Sequence, residues 1–165
     1  MKQAKAQAPL RIGLISDTHG LLRPEALQAL RGSDHIVHAG DIGDPAILEQ
    51  LAAIAPLTAV RGNNDKGEAY ARISDTEVLD AGGVLLYVLH DVNELDLDPA
   101  AAGFRVVVSG HSHRPSSRWR DDVLYINPGS AGPRRFSLPI AVGRLLLDGE
   151  RIEEELVELQ LSAGK

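Results

Sequence analysis

The sequence predicts an α/β fold, and three observations carry that prediction. Short apolar runs alternate with helical stretches between residues 10 and 60. Later apolar runs come in pairs joined by turns rich in Asp and Gly, and polar, glycine-flanked residues follow directly on the apolar runs. Alternating strand and helix favours parallel strands joined by right-handed crossovers, with the helices packed on the sheet.

Leu10–Ile15 is a short apolar run and reads as a buried strand. Pro24 opens a helix over Glu25–Leu30; proline suits a first turn, where its missing N–H has no helical partner. Ile36–Ala39 is the second strand. Asp44 is placed to cap the next helix and Pro45 to begin it, the helix running to about Ala53. Leu57–Val60 is the third strand. Thr76–Leu79 and Val84–Leu89 flank Asp80-Ala81-Gly82-Gly83 as a hairpin. Asp98-Pro99 and the alanines after it start a short helix ahead of a strand over Phe104–Val108. Asp121-Asp122 separates a strand ending at Trp119 from one beginning at Val123, and Asp148-Gly149 joins Leu145–Leu147 to Ile152–Leu161. That last segment fits two periods. Val157, Leu159 and Leu161 alternate as in a strand, whereas Ile152, Leu156 and Leu159 fit a helix; the strand reading is preferred.

The 165 residues suit a single domain, expected over residues 10–165, with residues 1–9 a disordered or loosely attached tail. Hydrophobic residues at 44% and charged residues at 24% are the balance of an ordinary globular chain. The net charge of -6 supplies no global attraction to nucleic acid, so a polymeric nucleic-acid partner is not expected. Arg114 to Arg120 gathers three arginines and Trp119 and could meet an anionic ligand, although a solvated strand edge is the preferred reading. The chain has no cysteine, which excludes disulfides, iron–sulfur clusters and thiolate zinc sites. Any metal is therefore held by oxygen and imidazole nitrogen. No apolar run reaches the ~18 residues of a membrane span, and the polar start has no signal-peptide core, so no membrane partner and a cytoplasmic location are expected.

The chemistry lies where the strands stop. Ser16-Asp17-Thr18-His19-Gly20 follows the first, Gly40-Asp41 the second and Arg61-Gly62-Asn63-Asn64-Asp65 the third. His90-Asp91 follows Val84–Leu89, and Ser109-Gly110-His111-Ser112-His113 follows Phe104–Val108. In open α/β sheets ligands bind at the carboxyl ends of the strands. Each piece alone is weak: Asp17 and His19 could be a loop-capping carboxylate beside a surface histidine, Asp41 a helix-approach residue, Asn63-Asn64-Asp65 a turn and His90 a core histidine, while Gly110-His111-Ser112-His113 is the strongest single signal. Jointly they bring oxygen ligands and four of the six histidines to one edge. Asp17 and His19 are two residues apart, as are His111 and His113, so each pair can turn to one ion. A carboxylate such as Asp41 has two oxygens and can bridge two ions about 3.5–4 Å apart. His38 either orients a ligand from behind or is an ordinary half-buried histidine.

Asp17-Thr18-His19, Gly40-Asp41, Gly62-Asn63-Asn64-Asp65, His90 and Gly110-His111-Ser112-His113 resemble the successive motifs of the calcineurin-like metallophosphoesterases. Chain length and Asn127-Pro128-Gly129-Ser130 resemble the small YfcE-type phosphodiesterases within that superfamily. The resemblance implies a four-layer α/β/β/α sandwich of two mixed sheets flanked by helices. It implies two divalent metal ions, manganese foremost, with nickel, iron, zinc or magnesium as alternatives. Asp17, His19 and His113 would hold one ion, Asn63, His90 and His111 the other, and Asp41 would bridge them. The activity implied is hydrolysis of a small phosphate ester, most simply a diester, by in-line attack of a metal-bridging hydroxide, with Asp41, Asn63, Asn64 and Asp65 as catalytic candidates.

Two positions depart from the family pattern. Asn64 stands where many members carry histidine, and an amide has no proton to give near neutral pH. Asp91 stands where relatives usually have glycine. The same fold also serves as a vacuolar-sorting scaffold subunit, which leaves a non-catalytic partner-binding module as the alternative. A homo-oligomer is left open. Asn127–Ser130 is expected to form a structural turn beside the site.

Overall fold

Two five-stranded sheets face one another in the computed structural model, which describes residues 8–161. The first contains β1 (Leu10–Ile15), β2 (His35–His38), β3 (Leu57–Ala59), β9 (Ala141–Asp148) and β10 (Arg151–Glu158) in the order β10-β9-β1-β2-β3. The second contains β4 (Thr76–Ala81), β5 (Val84–Leu89), β6 (Val106–Val108), β7 (Ser116–Arg120) and β8 (Val123–Asn127) in the order β4-β5-β6-β8-β7. β1, β2 and β3 run parallel, as do β5, β6 and β8, and antiparallel strands complete each sheet. Both sheets are therefore mixed, and the expected four-layer architecture holds. The anticipated tail over residues 1–9 lies outside the described residues except for Ala8 and Pro9, which are exposed.

Side-chain alternation explains the layers. Ile12 and Leu14 of β1 point inward with Val37 of β2 and meet Leu86, Val88, Val106, Val108, Leu124 and Ile126 of the other sheet. This is the central core. The opposite face of the first sheet is covered by α1 (Pro24–Leu30) and α2 (Ala46–Ala52), whose Ala26, Leu30, Ile47 and Leu51 pack with Ile15 and Ile36. On the outer face of the second sheet Tyr87, Val107 and Val123 lie with Phe104 under Leu95 and Leu97, beside the single turn α3 (Pro99–Ala102).

Most element ends fall within two residues of the sequence reading, but β9 begins at Ala141 rather than Leu145, β10 ends at Glu158 rather than Leu161, and the N-cap of α2 is Pro45 rather than Asp44. Asp44 accepts the Ala46 N–H at 3.0 Å, although the regular part of α2 starts at Ala46. Asp98 caps α3 by accepting from Ala101, and Gly103 ends it in the left-handed region at φ 89°. The ambiguous C-terminal segment is strand β10, paired along Arg151–Glu158 with β9. Two 3-10 turns, Glu68–Tyr70 and Val92–Glu94, were not foreseen.

Candidate metal centre

The parallel strands of both sheets release their chains at one edge, and the loops there are hydrogen-bonded to one another. Asp17 N–H bonds the Gly40 carbonyl at 2.9 Å, His19 N–H the Asp41 carbonyl at 2.9 Å, and Gly110 N–H the His90 carbonyl at 2.9 Å. Five of the candidate ligands lie in the left-handed backbone region: Asp17 (φ 54°), His19 (44°), Asp41 (57°), His111 (71°) and His113 (63°). Such conformations cost non-glycine residues of order 1–3 kcal/mol each and persist where surrounding structure enforces them, most often at functional sites. Here they swing side chains off the strand direction and into a common space.

Asp17 Oδ1 lies 3.4 Å from His113 Nε2 and 3.7 Å from His19 Nε2, and the two imidazole nitrogens are 3.3 Å apart. Asp41 Oδ2 lies 3.2 Å from His90 Nε2 and 3.6 Å from His19 Nε2, between the two histidines. Ligand atoms of Asp17, His19 and His113 are close enough to share one ion, and so are those of Asp17, Asp41 and His90. His111 is more open: its ring meets His90 edge-on at 5.2 Å, and its Nε2 is 3.8 Å from Asp91 Oδ2. Its backbone N–H nevertheless holds Asp17 Oδ2 at 3.0 Å. Asn63 is exposed and borders, with His90 and His111, a cleft of about 470 Å³. The structure thus gathers Asp17, His19, Asp41, His90 and His113 tightly and leaves Asn63 and His111 at the rim.

Two of the three buried side-chain atoms without a hydrogen-bond partner among the described residues bear most on what this cluster could hold. Asp17 Oδ1 and His90 Nε2 have no hydrogen-bond partner. His90 donates from Nδ1 to the Ala39 carbonyl at 2.7 Å, which leaves the neutral ring a bare lone pair at Nε2. That lone pair faces carboxylate oxygens. Acceptors aimed at acceptors in a buried space require a cation or a proton between them. The donor set of carboxylate oxygen and imidazole nitrogen suits a divalent first-row ion.

Without an ion, protons and dipoles carry the balance. Burial by itself would raise Asp17, yet the nearby His113 and His19 rings, the Ser16 hydroxyl bond and His90 hold its carboxyl far below the usual range. Burial would also raise Asp41, but His90 and the Asn64 N–H pull it down. His90 is pushed down by burial and pulled further up by Asp41, Asp17 and the Ala39 carbonyl.

Several residues behind the cluster fix its geometry. His38 is fully buried, not half-buried; its Nδ1 accepts the Gly40 N–H at 3.0 Å, so the neutral ring carries its proton on Nε2 and gives it to Thr18 Oγ1, also 3.0 Å away. Thr18 in turn donates to the Ile42 carbonyl at 2.8 Å. One imidazole therefore ties the loop carrying Asp17 and His19 to the loop carrying Asp41. Asn127 donates to the Gly110 carbonyl at 2.8 Å and to Ser112 Oγ at 3.1 Å, and so steadies the loop of His111 and His113. Ser16 Oγ donates to Asp17 Oδ2 at 2.7 Å. Ser16 and Thr18 were visible only as motif neighbours of the ligands; small hydroxyl residues flanking a ligand were the available signal.

The remaining candidates are placed differently from one another. Asn64 stands over Asp41, donating its N–H to Oδ1 at 2.9 Å and its side-chain amide to Oδ2 at 3.2 Å. Asp65 turns inward: its two oxygens accept the N–H groups of Ile42, Gly43 and Gly62 between 2.9 and 3.2 Å. Both oxygens are committed to joining the loops after β2 and β3. Close packing here demands glycine. A methyl at Gly62 would land on Asp41 Oδ1 and its backbone nitrogen.

Comparison with known proteins gives the family. The calcineurin-like phosphoesterase superfamily domain matches residues 10–150. The chain belongs to that superfamily. A probable metallophosphoesterase of Methanothermobacter thermautotrophicus is 35% identical over 157 residues, covering 88% of this chain and 91% of the relative. A phosphodiesterase of Methanocaldococcus jannaschii is 25% identical over 170 residues, covering 92% of this chain and 100% of the relative. Among solved structures, vacuolar protein sorting 29 of Cryptosporidium parvum superposes with a TM-score of 0.74 at 15% identity, covering 94% of this chain and 100% of that one. This last likeness is one of fold. The metallophosphoesterases are metal-dependent enzymes of phosphate esters, and this chain carries candidate metal-binding groups at the expected edge. Among the described residues no helix is long and apolar enough to cross a membrane.

Proposed function

We propose that the protein is a dinuclear-metal phosphodiesterase acting on a small phosphate diester. The observation that carries the reading is the buried confrontation of Asp17 Oδ1, Asp41 Oδ2 and the bare His90 Nε2, a set of acceptors that a divalent cation would satisfy together. Asp17, His19 and His113 would hold one ion; Asn63, His90 and His111 the other; Asp41, between the histidines, would touch both. Manganese is the ion proposed first. When bound, two such ions supply a water of lowered pKa and neutralise charge on the phosphoryl oxygens.

The chain's own contribution is positional. His38 and Thr18 hold two ligand loops in register, and Asn64 fixes the plane of the Asp41 carboxylate through both oxygens. Asn64 provides no proton for a leaving alkoxide, and Asp65 is engaged by backbone N–H groups. The leaving group must then take its proton from solvent. That favours diesters with acidic leaving alcohols over stable alkyl monoesters.

The fold shared with vacuolar protein sorting 29 raises the scaffold alternative. A scaffold has no need to keep seven ligand residues. The exposed large apolar residues Leu21, Val78, Val92, Trp119 and Phe136 come from five different segments. The enzyme reading is therefore preferred. Its test is hydrolysis of bis(4-nitrophenyl) phosphate with added manganese, after chelation, and in Asp41→Asn. Turnover is expected only in the first case, and turnover that persists in the other two would end the proposal.

A further inference from the structure

Two clefts border the candidate centre and share Asp91 and His111, but they differ in charge: the first is strongly acidic, and the second sets one arginine against one carboxylate. The cleft of about 470 Å³ carries Asp75, Asp91, Glu94 and Asp96 against a single arginine, Arg61. That guanidinium is already bonded to Asp75 at 3.0 and 3.2 Å. The second pocket, about 300 Å³, runs from His111 past Asn93 to Ser116, Arg118 and Tyr125. Asp91 also borders it, but its Oδ1 accepts the Asn93 N–H at 3.0 Å and its Oδ2 faces His111.

Arg118 is the notable group. It is paired with Tyr125 across the β7–β8 ladder, which sets the two side chains on one face of the sheet. Its Cζ lies 5.8 Å from the Tyr125 ring centroid, a cation–π contact that holds the guanidinium against the ring. Among the described residues no carboxylate comes within ion-pair distance of it. A guanidinium held on a ring with its donor fork free is arranged for bidentate contact with an oxyanion.

We propose that the Arg118–Tyr125 pocket is the subsite for one arm of the diester and selects an arm that carries a second anionic group, a carboxylate or phosphate. The acidic cleft receives the neutral or cationic arm. The assignment rests on the phosphodiesterase reading for the identity of the scissile group, and it converts a symmetric reaction centre into one that reads its two ester arms differently. β7 is the exposed edge strand that the sequence reading preferred, and within it Arg118 is the residue that would meet the ligand.

The test uses 4-nitrophenyl diesters that share the leaving group and differ in the second arm, ending in a carboxylate, a phosphate or the uncharged methyl ester. The manganese-loaded protein is expected to favour an anionic arm over the neutral one by about tenfold in kcat/KM, the scale of one charge-assisted bidentate contact. Arg118→Ala should bring the ratio close to one. Arg120→Ala, two residues along the same face but outside the pocket, should keep it. Calorimetric binding of the matching non-hydrolysable phosphonates gives the same ratios without turnover. A calorimetric preference that disappears in Arg118→Ala while no diester is hydrolysed would uphold the subsite and sink the phosphodiesterase reading. Hydrolysis with no anionic preference, or a preference that survives Arg118→Ala, would sink the subsite and leave that reading standing.

Discussion

At the scale of single residues the centre is a set of strained and crowded positions held by backbone hydrogen bonds. Gly62 shows how little room there is, since an added methyl meets Asp41 Oδ1 directly. Gly62→Ala is expected to leave the circular dichroism spectrum unchanged and weaken manganese binding at least about tenfold, the usual cost of disturbing a group behind a ligand. Gly67, at φ 96° with open space around it, is the control. Gly67→Ala should cost about 1–3 kcal/mol of stability, since its extended positive-φ backbone is open almost only to glycine, with no change in metal affinity; equal affinities for the two variants would remove the argument. His38 gives a pH signature. Burial pushes its pKa down from 6.5 to about 4. Between those values the unfolded chain binds the proton that the native one refuses. Stability is therefore fully present above pH 6.5 and falls by up to about 3 kcal/mol as pH drops toward 4. Denaturant melts of metal-free protein across that window should show the fall, and His38→Gln should flatten it.

At the scale of elements, what could be read in advance were the local signals. Proline and aspartate marked where α1, α2 and α3 begin, and Gly82-Gly83 and Gly149 marked two hairpins, because capping and turn chemistry depend on neighbours in sequence. Periodicity alone did not separate strand from helix in β10; pairing with β9 along its whole length settles it. The order β5-β6-β8-β7 was not legible, since which apolar strands become neighbours is fixed by the joint packing of both sheets. The site divides in the same way. Ligand candidates were visible at strand ends, whereas the inward turn of Asp65 depends on N–H groups of two loops, Gly62 close by and Ile42 and Gly43 more than twenty residues away in sequence. The β7–β8 hairpin offers a test at this level. Asp121 and Asp122 sit at φ 54° and 61°, both left-handed, as in a type I′ turn. Asp122→Gly should raise the melting temperature by about 2–4 °C, from about 1 kcal/mol of relieved strain. Asp121→Val, branched at Cβ, should lower it. The opposite order would mean that the turn is not held as described.

Across the whole molecule the centre is where the two sheets meet beyond the apolar core. Asp17, His19 and Asp41 come from the first sheet; His90, His111 and His113 come from the second. A cation bound among them joins the sheets, so binding energy is also folding energy. With free manganese about a hundredfold above its Kd the native state gains about 2.7 kcal/mol, or roughly 5–10 °C in melting temperature for a chain of this size. The gain must depend on pH. In metal-free protein, burial pushes His90 down but Asp41 and Asp17 pull it up more strongly. Its protonated form therefore stabilises the apo state below pH 6.5, and that contribution is lost as pH rises through the raised pKa. A metal ion held by His90 as proposed would need the same nitrogen unprotonated, so its contribution would run the other way. Melting curves with and without manganese should diverge steadily from pH 5.5 to pH 8, and Asp41→Asn should remove most of the divergence. A manganese increment that stays constant over this range, or that persists in Asp41→Asn, would show that the ion binds elsewhere and that the two sheets close without it.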